Sequence, residues 1–319
     1  MREISTSDLE AHRASLRELQ VRWVVLSGGE PLMHSDLGAL SQFFRSEGLR
    51  VTLLTAGLIL ERHAALVAES MDDIIVSLDG PPDVHNSIRG VPRAFERLAQ
   101  GLAAVRQIRP DVPITGRCTV QKGNHLHLQA TVQSALRLGL NSISFLAADV
   151  SSSAFNHPEG WAPDRHSAVA PDAKEVEELS CEIESLLENC HAAIENGFVV
   201  EGAEKLRRIV RHFRAQLGQV EPLAPRCNAP WVSAVIEADG NVRPCFFHPS
   251  LGNIREGPLH AILNGEKAVD FRARLDIPTN PVCRRCTCSL HLTVQDPLPK
   301  DASSAVVNPT KTTLSVLQY

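Results

Sequence analysis

The sequence predicts an α/β fold, which on pattern alone fits a partial (βα) barrel or an open sheet equally well, leading into a small cysteine-rich α+β module. Three observations predict it. Short apolar runs alternate with amphipathic stretches through the first 150 residues, the pattern of parallel strands covered by helices. A Ser-, Pro- and Ala-rich stretch at 150–172 then breaks the alternation, as a domain boundary or long loop does. Five of the eight cysteines fall between Cys227 and Cys288. The length of 319 residues agrees, because domains of about 150 residues give roughly two.

Each element has its own signal. WVVLS (23–27) is the first strand, and a helical pattern runs from about Asp36 to Gly48. RVTLLT (50–55) is the second strand, followed by the helix ERHAALVAES. DDIIVSLDG (72–80) is the third, followed by the amphipathic AFERLAQGLAAVRQI. VPITGRCTV (112–120) and NSISFLA (141–147) complete the series around the helix HLHLQATVQSALRLG. Two further helices are expected near 172–195 and 202–217, the first behind the N-cap candidate Asp172. VSAVIEADGNVRPC reads as a β-hairpin with a type I′ turn at Asp239-Gly240. The stretch after about Leu292 is polar and irregular, a loosely docked tail. These readings divide the chain at 1–150 (barrel), 151–223 (connector), 224–292 (cysteine module) and 293–319 (tail).

Composition excludes several classes. Hydrophobic residues at 43 % and charged residues at 22 % allow a buried core and exclude wholesale disorder. The net charge of −5, without a basic run, argues against nucleic-acid binding. No apolar run approaches the roughly 18 residues of a membrane span. MREISTSDLEAHR has no apolar core of a secretory signal, so a cytoplasmic protein is expected. Clustered cysteines in that compartment point to metal or redox chemistry rather than disulfides.

In parallel α/β folds ligands bind at the C-terminal ends of strands. SGGEP (27–31) follows the first strand, where Gly28 and Gly29 let the backbone approach a ligand and Glu30 adds a carboxylate. Thr55-Ala56-Gly57 ends the second strand. VSLDG ends the third, and alternation places Ser77 and Asp79 on one face. His34, His85, His125, His127, His157 and His248 form no HExxH or similar spacing. His248, three residues after Cys245, is expected beside any metal there.

VVLSGGEPLMHSDL and IIVSLDGPPDVHNSIRG together resemble motifs of the radical S-adenosylmethionine (radical SAM) superfamily. The resemblance implies that Gly28, Gly29 and Glu30 hold the methionine amino group and that Ser77 and Asp79 meet the ribose region. Arg117, or Thr119, would reach the carboxylate. Ala56 stands where the family commonly has Asn. The larger departure is the missing CxxxCxxC loop, since residues 1–117 contain no cysteine. ISTSDLEAHRASLRELQ looks like the helix that follows that loop, so the first barrel strand is expected to be missing too, its neighbour's edge unpaired. Either the loop is encoded upstream of Met1 or the protein has lost that cluster. As written, the chain is expected not to cleave S-adenosylmethionine.

Cys227 and Cys245 bracket the hairpin, and PVCRRCTC places Cys283 and Cys286 in CxxC spacing with Cys288 two residues on. Such a set suits zinc or an iron–sulfur cluster, whereas Cys118 reads as core and Cys181 and Cys190 as helix thiols. C-x12-G-x4-C with a distant CxxC resembles the SPASM domain in its shorter twitch form. That match implies one auxiliary 4Fe-4S cluster on Cys227, Cys245, Cys283 and Cys286, with Cys288 a spare or competing ligand. The resemblance further implies a 5′-deoxyadenosyl radical that abstracts hydrogen from a peptide or small molecule, S-adenosylmethionine as cofactor, and a reductant such as a flavodoxin or ferredoxin. The alternative is a non-catalytic, degenerate barrel with a structural zinc or 4Fe-4S site.

Overall fold

The computed structural model describes residues 3–152, 154 and 161–292 in full, and residues 316–318 by their backbone. His157, and the tail apart from 316–318, lie outside the described residues. The strands are β1 (Trp23–Leu26), β2 (Arg50–Thr55), β3 (Asp73–Ser77), β4 (Ile114–Val120), β5 (Ser142–Ala147), β6 (Ser233–Ile236), β7 (Asn241–Arg243), β8 (Gly252–Asn253) and β9 (Val316–Gln318). Strands β3–β5 form a parallel sheet, so the predicted α/β class holds. The chain divides into two compact units, Met1–Thr52 with Ala224–Tyr319, and Leu53–Leu223.

In the second unit β3, β4 and β5 are parallel neighbours, with Val76 opposite Gly116 and Gly116 opposite Ile143. Their alternate residues form a fully buried apolar face: Ile74 and Val76, Ile114 and Cys118, Ile143 and Phe145. The apolar stripes of helices Ala94–Ile108 (Leu98, Leu102, Val105) and Leu128–Arg137 (Leu128, Val132, Ala135) are also buried. Each such side chain removed from water contributes about 1.5–3 kcal/mol. The other face differs from a continuously apolar strand. On β4 it carries Thr115, Arg117 and Thr119, which are half-buried or exposed.

The segment 198–201 extends the free side of β5, which the sequence pattern did not announce. Ile143 N–H donates to Phe198 O at 2.7 Å, and Val200 N–H donates to Ile143 O at 2.9 Å. One residue further, the Glu201 carboxylate stands in for a backbone carbonyl and accepts the Phe145 N–H at 2.7 Å. Burial raises the pKa of Glu201.

In the first unit the N-terminal helical stretch is two short helices, Thr6–Glu10 and Arg13–Glu18. Ser5 and Asp8 form a capping box at the first. His12 lies between them, with one ring nitrogen 2.8 Å from Ile254 O and the other accepting Leu259 N–H at 3.2 Å. Glu47 is buried between Arg13 and Arg17, 2.7 Å from Arg17 Nε.

The predicted hairpin forms, with β6 and β7 antiparallel and Ile236 opposite Val242. Its turn is not type I′. Gly240 alone has a positive φ, of 89°, and its N–H donates to Glu237 O at 2.7 Å. A three-residue loop with glycine in the left-handed position spares Asp239 that strained conformation. Asp239 instead accepts the Asn241 N–H at 3.0 Å.

Strand β9 corrects two expectations. It pairs in parallel with β1, Leu317 opposite Val24, and with β6, Leu317 opposite Ala234. The edge of β1 is therefore paired, and this part of the tail is strand. Backbone N–H and C=O groups at an open edge accept whichever strand reaches them. Among the described residues no helix is long and apolar enough to cross a membrane.

Candidate functional site

Strand β1 ends in a turn that only glycine can make. Gly28 has φ 139°, and a side-chain carbon built on Gly28 or Gly29 would meet no atom within 4 Å. The space beside both glycines is therefore open, so a small ligand could approach the backbone of this turn closely. Glu30 is oriented locally, because its Oε1 accepts the Leu32 N–H at 3.2 Å and caps the turn Pro31–Met33.

In the second unit register builds a polar row. Ser77 on β3 lies opposite Arg117 on β4, and Arg117 lies opposite Ser144 on β5. Arg117 is exposed and Ser77 half-buried, so the row offers a guanidinium between hydroxyls. Such a fork suits a carboxylate.

Asp79 does not share that face. Strand β3 ends at Ser77, so alternation stops there, and the Asp79 side chain turns inward to 1 % exposure. Its Oδ2 is 2.6 Å from Arg89 Nη2, and its Oδ1 accepts the Thr119 N–H at 3.3 Å. Asn124 clamps the same turn, donating to Asp79 O and Thr119 O, each at 3.0 Å. Burial raises the Asp79 pKa, and the Arg89 charge pulls against it. His85, Arg89 and Asn124 were not legible as partners, since only the turn brings them to Asp79.

The Asp79 N–H donates to His85 Nδ1 at 3.1 Å, and the ring is fully buried. Burial lowers the His85 pKa from 6.5 to about 4, with the nearby Arg89 charge adding to it. A base depressed in the folded state stabilises the fold above its unfolded pKa, and that contribution drains away as pH falls toward the folded value. His85 should therefore cost the protein about 3 kcal/mol between pH 6.5 and pH 4. Urea midpoints across that range check it, and His85→Gln should flatten the profile by one proton.

The cysteine module gathers all five thiols that the spacing singled out. Asn280 caps the turn Pro281–Arg284, accepting N–H bonds from Val282 at 3.0 Å and Cys283 at 3.1 Å. The turn presents CxxC, and the Cys286 N–H closes on Cys283 O at 3.1 Å. Cys227 Sγ accepts the Ala229 N–H at 3.4 Å. Burial pushes the Cys245 thiol up to about 12, with the charges of Cys227 and Cys283 adding and the N–H groups of Phe247 and His248 opposing. Burial and Cys227 push Cys283 to about 11. The hydrogen bond with Cys288 raises Cys286 most, then burial and the charge of Cys288, with the charge of Cys245 adding least. Cys245 is thus coupled to Cys227, Cys283 and Cys286, while Cys288 acts on Cys286.

Half-buried thiols that repel one another as thiolates call for a bound cation or cluster to neutralise them. Among the described residues no group of three or more His, Cys, Asp or Glu side chains is arranged to hold a metal ion. By their chemistry such thiolates suit either zinc or an iron–sulfur cluster. His248 sits where its position suggested, Nε2 3.3 Å from Cys283 Sγ. Cys118 is buried, Cys181 exposed and Cys190 buried, all outside this group.

Comparison with known proteins finds matches to two families. The Radical SAM superfamily model matches residues 1–135, and the SPASM model, an iron-sulfur cluster-binding domain, matches residues 227–287. An AdoMet-dependent heme synthase of Methanosarcina barkeri is 27 % identical over 259 residues, 79 % of this chain and 70 % of that protein. A PqqA peptide cyclase of Ruegeria pomeroyi is 27 % identical over 238 residues, 73 % of this chain and 56 % of the cyclase. Native anSMEcpe with bound AdoMet and Cp18Cys peptide superposes with a TM-score of 0.61 at 17 % identity, covering 96 % of this chain and 86 % of that one. Streptococcus suis SuiB bound to the precursor peptide SuiA gives 0.56 at 15 % identity, covering 88 % and 64 %. Residues 1–135 thus match the radical SAM superfamily and residues 227–287 the SPASM domain, which supports a radical SAM protein with a C-terminal SPASM domain.

Proposed function

We propose that this protein takes part in radical S-adenosylmethionine chemistry on a peptide or small-molecule substrate, fed by a flavodoxin- or ferredoxin-type reductant. The observation that carries the reading is the SPASM match over residues 227–287, which takes in Cys227, Cys245, Cys283 and Cys286. Those four thiolates would hold one 4Fe-4S cluster, with Cys288 beside them. The open Gly28-Gly29 turn and Glu30 would bind the methionine amino group, Ser77 the ribose region and Arg117 the carboxylate. Asp79, locked to Arg89, would shape the ribose-side turn from behind. When bound, the superfamily's cluster and S-adenosylmethionine together supply a one-electron reductive cleavage and a hydrogen-abstracting radical. Relatives named for peptide substrates, the PqqA cyclase and SuiB with SuiA, favour a peptide, and the heme synthases favour a small molecule.

The test is release of 5′-deoxyadenosine under dithionite. These 319 residues contain no CxxxCxxC, so the chain alone should release none. The same chain joined to an N-terminal strand and CxxxCxxC loop should release it. In that protein Glu30→Ala should weaken S-adenosylmethionine binding by roughly 1–3 kcal/mol, the cost of a lost buried polar partner. Release from the 319 residues alone would overturn the site assignment. No release from the extended protein would favour the second reading, a non-catalytic protein with a structural metal, which the cysteine-free residues 1–117 support.

A further inference from the structure

We propose that His248 donates its Nε2–H to the sulfur of Cys283 and thereby raises the reduction potential of the cluster held by the C-terminal thiolates. The inference rests on the cluster reading above. The His248 ring nitrogen is 3.3 Å from Cys283 Sγ, and the residue stands three after Cys245 in the chain. It therefore ties the segment after the hairpin cysteine to the CxxC cysteine, which lie far apart in the chain.

The ring is held in place. His248 is 4 % exposed, and the Phe271 ring meets it edge to face at 4.9 Å and 63°. Its backbone carbonyl accepts Arg243 Nη1 at 3.1 Å. A sulfur bound to iron carries no proton and can only accept, so the imidazole must carry its proton on Nε2 and donate. A donor on a cluster thiolate withdraws charge from the sulfur, and its bond strengthens as an electron arrives. Hydrogen bonds to the sulfurs are among the factors that set cluster potentials. Without this one, two desolvated thiolates would face each added electron with less compensation.

The test uses the full chain, reconstituted anaerobically with iron and sulfide. His248→Leu removes the donor and His248→Gln keeps an N–H of shorter reach. Redox titration followed by electron paramagnetic resonance reads the potential. The His248→Leu cluster should be about tenfold harder to reduce, or about 59 mV lower for one electron, with His248→Gln between it and the wild type. Reduced wild-type protein with 15N-labelled histidine should show weak nitrogen hyperfine coupling, a readout that survives if a variant fails to fold. Full iron and sulfide content with an unchanged potential in His248→Leu would overturn the inference alone. So would the lack of any histidine nitrogen coupling, or a coupling as strong as that of a directly bound imidazole. Zinc uptake without sulfide would overturn the cluster reading, and this inference with it.

Discussion

Cys227→Ala or Cys283→Ala should abolish the cluster, while Cys181→Ala should leave it intact. Wild-type protein reconstituted without oxygen should hold about four irons and four sulfides per chain, the content of one thiolate-bound 4Fe-4S centre. Cys227 and Cys283 each raise the pKa of Cys245, so removal of either takes away a thiolate from the middle of the group. Cys181 is exposed on the helix Ala173–Asn189, remote in sequence and in the other compact unit. Cys288→Ala should retain the iron, because Cys288 acts on Cys286 rather than on the central Cys245. Since binding energy at a site that folding assembles is also folding energy, the two deleterious variants should unfold at lower urea than wild type. Stoichiometric zinc in place of iron and sulfide would sink the assignment.

Arg89→Met should destabilise the second unit by about 3–5 kcal/mol, the usual cost of stripping the partner from a buried charge. Asp79 is 1 % exposed, and Arg89 lies 2.6 Å from its Oδ2. The Thr119 N–H is its other anchor, at 3.3 Å, and a single neutral donor does not replace a guanidinium. Burial raises the Asp79 pKa even with Arg89 in place, and without Arg89 it should rise further. The sign of the pH dependence follows. An acid raised in the folded state keeps its stabilising, protonated form at low pH and loses that contribution as pH rises through the folded value. The Arg89→Met penalty should therefore be full at neutral pH and shrink as the solution is acidified, which urea midpoints at several pH values will show. Asp79→Asn in the Arg89→Met background should recover part of the loss, because it removes the stranded charge. A penalty below 1 kcal/mol would place Asp79 toward solvent and return it to the ligand-facing row.

The sequence by itself determined the order and kind of the elements. Period-2 and period-3.6 patterns are local, so RVTLLT and AFERLAQGLAAVRQI became a strand and a helix within the residues read. The cysteine set was also legible, because CxxC and a hairpin fix short-range geometry whatever the rest of the chain does. Glycine at 28 and 240 announced turns that other residues resist. What only the tertiary structure decided was the direction of individual side chains at places where a regular element stops. Ser77 and Asp79 lie two apart, yet the strand ends between them, and the buried carboxylate goes to the cation that can neutralise it. Glu201 on the edge of β5, the β9 strand against β1, and His248 against Cys283 depend on partners tens to hundreds of residues away. Local pattern carries no information about such partners. They are chosen because an unpaired backbone edge, a buried charge or a desolvated sulfur is costly, and the fold alone decides which group is near enough to relieve it.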